Sequence, residues 1–60
     1  MKLNAIIEKT HDGCFVGQVE EVPAAISQGR DINGLYENLH NAVHLLIETD
    51  KIIDLTLKPV

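Results

Sequence analysis

Four groupings of residues in this 60-residue sequence have types and spacings that could do chemistry. His40 and His44 stand four apart, the spacing at which two imidazoles on one helix can share a metal ion. No third ligand from another element is placed beside them, so they read as part of a solvated polar face, and His11 as a turn residue. Cys14 follows His11 by three positions. A thiol beside an imidazole becomes a nucleophile only when its pKa is lowered, and with no other activating partner Cys14 reads as a small residue in a strand. A ribonuclease H-like nuclease needs several carboxylates gathered on Mg²⁺. Of the acids, Glu8 lies at a strand end, Asp12 in a turn, and Asp54 faces away from the helix. Ser27-Gln28-Gly29 precedes that helix, and helix N-termini favour anions, but Asp31 at the cap competes with such a ligand by charge. These residues predict no catalytic, cofactor-binding or metal site, and a protein that is not an enzyme.

The elements that position these residues follow from hydrophobic periodicity. Lys2 to Lys9 alternates as a strand, with Leu3, Ala5 and Ile7 on one face and Asn4, Ile6 and Glu8 on the other. Asp12-Gly13 in the stretch Thr10-His11-Asp12-Gly13 predicts a hairpin turn, because glycine supplies the positive φ that tight turns need. A second strand runs from Cys14 to about Glu20, with Phe15 and Val19 facing the core and Cys14, Val16 and Gln18 the other side. Gly17 between them marks a bulge or a close backbone approach. Pro23 ends this strand, Ala24 to Gln28 predicts a short third one, and Gly29 breaks it. A helix then starts at the N-cap Asp31. Its apolar stripe is Ile32, Leu35, Tyr36, Leu39, Ala42, Val43, Leu46 and Ile47; Leu45 falls off it. Ile52 to Lys58 alternates as a last strand with Ile53, Leu55 and Leu57 inward, and Pro59 terminates it.

Strand, strand, strand, helix, strand predicts an α+β domain: a four-stranded mixed sheet with one helix on one face, and a right-handed crossover into the last strand. The uncovered face, carrying Ile6, Cys14, Val16 and Ile52, is then partly apolar. Sixty residues make one domain, 1–60, whose core is marginal alone. Cys14 is the only cysteine, so no disulfide reinforces that core. Self-association as a dimer or tetramer is the expected remedy. Nine acidic residues against five basic ones give a net charge of −4. That balance argues against direct nucleic-acid binding, which relies on clustered Lys and Arg, and suits a basic protein partner. No apolar run is long enough to cross a bilayer, nothing resembles a signal peptide, and a lone thiol fits a reducing compartment. The expected location is the cytoplasm.

Several segments, taken in order, carry a family resemblance. They are Ala5-Ile6-Ile7-Glu8-Lys9, Asp12-Gly13-Cys14-Phe15-Val16, Glu21-Val22-Pro23, Ile26-Ser27-Gln28-Gly29, and Glu37-Asn38-Leu39 with Ala42-Val43. Together they resemble the HicB family of antitoxins over about residues 3 to 47. The resemblance implies a partial ribonuclease H-like fold and a non-enzymatic role, binding a small basic HicA-type ribonuclease toxin and blocking it. Departures are Ala24-Ala25, where the family commonly has Gly-Cys after the proline, and Asp31 with Gly34, which keep a cap but lose the reciprocal capping box. The C-terminal DNA-binding segment of full-length HicB proteins has no counterpart up to Val60, so autorepression is not implied. Two other readings stand beside this one: an oligomeric interaction domain without a toxin, and a metal-dependent ribonuclease H-like nuclease.

Overall fold

The computed structural model describes residues 1–60. Its elements are β1 (Lys2–Lys9), β2 (Phe15–Val19), β3 (Ile26–Gly29), α1 (Ile32–Ile47) and β4 (Asp54–Pro59). The strands form one sheet in the order β3-β2-β1-β4. β1 pairs antiparallel with β2 and parallel with β4, and β2 pairs antiparallel with β3. The α+β architecture with a mixed four-stranded sheet and one helix is the fold expected. α1 carries the chain from one edge of the sheet to the other, so β4 joins β1 and not β3.

The hairpin turn forms where Asp12-Gly13 places it. Gly13 has φ +88°, and the Thr10 amide donates to the Cys14 carbonyl at 2.8 Å. Asp31 caps the helix: its Oδ1 accepts from the Gly34 amide at 2.7 Å, satisfying one of the free first-turn N–H groups. At the other end Glu48, on the polar face by periodicity, is the C-cap in the left-handed region at φ 53° and donates its N–H to the His44 carbonyl.

The core comprises Leu3, Ala5, Val19, Ala25, Leu35, Leu39, Val43, Ile53 and Leu55, with no buried polar residue. The buried helix positions are therefore spaced i, i+4, i+8, narrower than the apolar stripe. Leu46 is half-exposed, and Ile32 and Tyr36 lie at its margin. The helix packs mainly on β3 and β2 and only slightly on β4, so positions on the flank of the stripe meet no strand.

The strand boundaries differ from the periodicity at both ends of the sheet. β3 begins at Ile26, not Ala24: Ala25 is fully buried in the preceding connection, where its N–H donates to the Val22 carbonyl at 2.8 Å. Gly29 continues the strand opposite Phe15 instead of breaking it. A Cβ there would lie 2.9 Å from Leu35 Cα and closer still to the Leu35 amide nitrogen, so this glycine lets the helix backbone settle onto the strand. Gly17 plays the same part more gently; a Cβ would meet Leu39 Cδ1 at 2.9 Å. The close neighbour is a helix side chain and not a backbone.

Pro59 lies inside β4, opposite Ile7. Asp54 and Val60 donate their N–H groups to the Met1 and Ile7 carbonyls of the β1 side. By alternation, the odd-numbered positions point their amides to the open edge, where a missing N–H costs nothing. Ile52 precedes the ladder and is 87% exposed.

Candidate functional site

Most of the residues singled out for chemistry fall in two places, a cleft and one helix face, with Glu8 and Asp54 apart from both. Thr10, His11, Asp12, Cys14, Arg30 and Asn38 line a polar cleft of about 760 Å³ between the β1–β2 turn and the start of the helix. Within it the Asp12 carboxylate accepts hydrogen bonds from the Thr10 hydroxyl and from the Cys14 amide at 3.3 Å. These bonds hold its carboxyl below the ordinary value of 3.8. Asp12 thus staples its own turn. Cys14 sits here, half-buried and outside β2, instead of facing outward from the strand. Gln28 and Gly29 also reach the cleft, but Asp31 already occupies one of the first-turn helix amides and sets its carboxylate there.

His40 and His44 are half-buried and not on a solvated flank. Their rings meet edge to face at 4.6 Å between centroids, and His40 stacks on Tyr36 at 5.9 Å, an arrangement that aromatic quadrupoles favour. Nowhere does the structure place three or more His, Cys, Asp or Glu residues to hold a metal ion. Glu8, Asp12 and Asp54 stay apart, as their elements require.

The remaining candidate is the face of the sheet away from the helix. The register places Ile26 opposite Gln18, Gln18 opposite Ile6, and Ile6 opposite Lys58 in one row. Gln28, Val16 and Glu8 form the next row. Ile6, Val16, Ile26 and Val60 meet in a shallow depression of about 240 Å³ with Glu8 and Gln18 at its rim. Ile26 is 62% and Val60 84% exposed, so the apolar centre is open to solvent. Ile6 and Val16 belong to this face as their alternation indicates. Cys14 and Ile52 do not, because both lie outside the ladder.

Local alternation assigns neither Ile26 nor Val60 to this face. Ile26 could have been placed by pairing it with the outward Gln18; nothing in the sequence signals Val60. One further feature has no signal in the sequence. The Glu21 carboxylate clamps Asn4 of β1, taking its backbone N–H and its Nδ2, each at 2.8 Å. Those bonds, with a smaller contribution from nearby Lys58, hold the Glu21 carboxyl below its ordinary 4.5. The clamp fastens the β2–β3 connection to β1.

Two curated proteins resemble this chain. A UPF0150 protein of Archaeoglobus fulgidus is 32% identical over 54 residues, covering 90% of this chain and 78% of that protein. A UPF0150 protein of Synechocystis sp. is 35% identical over 43 residues, 72% of this chain. Of that second relative's length the aligned part makes up 62%. No model of a known protein family matches the chain, and no solved structure does.

Proposed function

The chain belongs to the UPF0150 family, and on that premise we propose that it is a HicB-like antitoxin: a binding protein that neutralises a small basic ribonuclease toxin of the HicA type by direct contact. The observation that carries this reading is the bare sheet face. An exposed patch with an apolar centre and a polar rim is the anatomy of a protein-binding surface. Here the centre is Ile6, Val16, Ile26 and Val60, and the carboxylate-bearing Glu8 stands at the rim. A net charge of −4 steers a basic partner toward it. The segment order that resembles HicB supports the same reading. The nuclease alternative lacks a gathered set of carboxylates.

Co-expression with the product of the neighbouring short gene, followed by pull-down and an RNA-cleavage assay, tests the proposal. The expected result is a stable complex in which cleavage stops. Ile26→Lys is expected to abolish binding while leaving the fold intact, since that side chain supports no core. If no small basic partner binds, the antitoxin reading fails and an interaction domain without a toxin replaces it. If the chain alone cleaves RNA with Mg²⁺ or Mn²⁺, and Asp12→Ala or Glu8→Ala stops it, the nuclease reading replaces both.

A further inference from the structure

The two edges of the sheet are finished differently. At the β3 edge, the Asn38 Nδ2 donates to the Gln28 carbonyl at 2.8 Å, and the Ile26 N–H donates back to the Ala24 carbonyl. Two of the edge groups of this short strand are therefore already used. At the β4 edge nothing comparable occurs. Even-numbered residues bond toward β1, which leaves the N–H and C=O of Leu55 and Leu57 facing outward. An unpaired edge of this kind is a template for another strand.

We propose that the β4 edge is a homodimer interface. A second copy pairs its β4 antiparallel to the first about a two-fold axis through Thr56, making one continuous eight-stranded sheet. The choice of occupant and register rests on self-complementarity, which a two-fold interface requires. With Thr56 opposite Thr56 of the second copy, Leu55 faces the partner's Leu57 and both members of the pair have free N–H and C=O groups to exchange. The same register sets Asp54 opposite the partner's Lys58, and by symmetry Lys58 opposite the partner's Asp54. Both side chains are exposed on the bare face, where opposite charges directly across an antiparallel pair attract.

Neighbouring registers are worse. Centring the pair on Leu57 puts Pro59, which has no N–H, opposite Leu55 and forfeits a hydrogen bond on each side. Centring it on Leu55 sets Lys58 opposite Ile52 and leaves Asp54 facing Thr56. A domain of this size also gains most from added burial. This interface does not depend on the antitoxin reading, and it leaves Ile6, Val16 and Ile26 free.

The test is solution mass across a concentration series, with amide exchange at Leu55 and Leu57. The wild-type chain is expected at twice its 6.6 kDa mass, with both amides protected in the dimer. Asp54→Lys and Lys58→Asp, checked for fold by circular dichroism, each turn two attractions into repulsions and are expected to raise the dissociation constant by about tenfold or more. The double reversal Asp54→Lys/Lys58→Asp is expected to restore dimerisation. Because Glu21 lies near Lys58 in the same chain, the double reversal is also made with Glu21→Gln, which removes that carboxylate from beside the new aspartate. A wild-type chain that stays monomeric overturns the proposal. So does a dimer with freely exchanging Leu55 and Leu57 amides, or one indifferent to Asp54→Lys.

Discussion

The two faces of the sheet are built from alternate residues of the same strands, yet they carry different kinds of information. On the covered face Ala5, Val19, Leu35, Leu39 and Val43 are all fully buried, and glycines stand wherever a larger group would block the helix. On the bare face the apolar groups Ile6, Val16 and Ile26 are only partly covered or open, and each stands opposite a polar residue of the neighbouring strand. One face bears the stability of the fold, and the other is left available for contact. Substitutions on the first should change folding; matched ones on the second should change binding alone.

The sharpest test of that division is Leu39→Ala. Its side chain is fully buried between helix and sheet and touches the space above Gly17, so truncation leaves a cavity. The expected loss is about 3–4 kcal/mol, a large share of what a domain this small possesses. Ile26→Lys, on the opposite face, is expected to shift the denaturation midpoint by no more than about 0.5 kcal/mol. Urea melts of the two variants compare the faces directly. Equal losses would collapse the distinction.

Gly29→Ala comes next and sharpens the account of why the helix sits where it does. The added methyl meets the backbone of Leu35 and Gly34, which cannot rotate away as a side chain can. Overpacking of this kind costs about 1–3 kcal/mol. Gly17→Ala, whose neighbours are the tips of Leu39 and Ile7, is expected to cost less. Thermal unfolding of the pair checks that order, and a milder effect at Gly29 would show that the helix has room to shift.

The covered face was the more legible of the two in the sequence. Alternation placed Leu3, Ala5, Val19 and Leu55 inward, helical periodicity found Leu35, Leu39 and Val43, and Asp12-Gly13 and Asp31 announced a turn and a cap by chemistry that acts within a few residues. Boundaries were less legible, because they depend on pairing. Gly29 reads locally as a breaker but continues β3 opposite Phe15. Pro59 reads as a terminator but is tolerated at an edge. Leu46 follows the helical period, yet its burial depends on how little of β4 the helix covers. The bare face was half legible for the same reason: Ile6 and Val16 follow from alternation, whereas Ile26 and Val60 join them only through register. The Glu21–Asn4 clamp spans seventeen residues and had no local signal at all.

That clamp supplies the smallest predicted effect and a contribution of the bare face to stability. Hydrogen bonds from the Asn4 amide and Nδ2 favour the ionised Glu21, so its carboxyl titrates below the ordinary 4.5 in the folded chain. A depressed folded value means that the unfolded chain binds the proton more readily. The contribution is therefore fully present above the unfolded value and lost as pH falls through the folded one. Asp12 behaves likewise below its ordinary 3.8. Melting temperature is expected to hold steady from neutral pH to about pH 5 and to decline below it. Glu21→Gln is expected to lower the plateau slightly and to flatten the upper part of the decline, and Asp12→Asn the lower part. Melts of the three proteins between neutrality and pH 3 read both windows. A decline that keeps its full slope in both variants would place the acid sensitivity elsewhere, and the bare face would then serve contact alone.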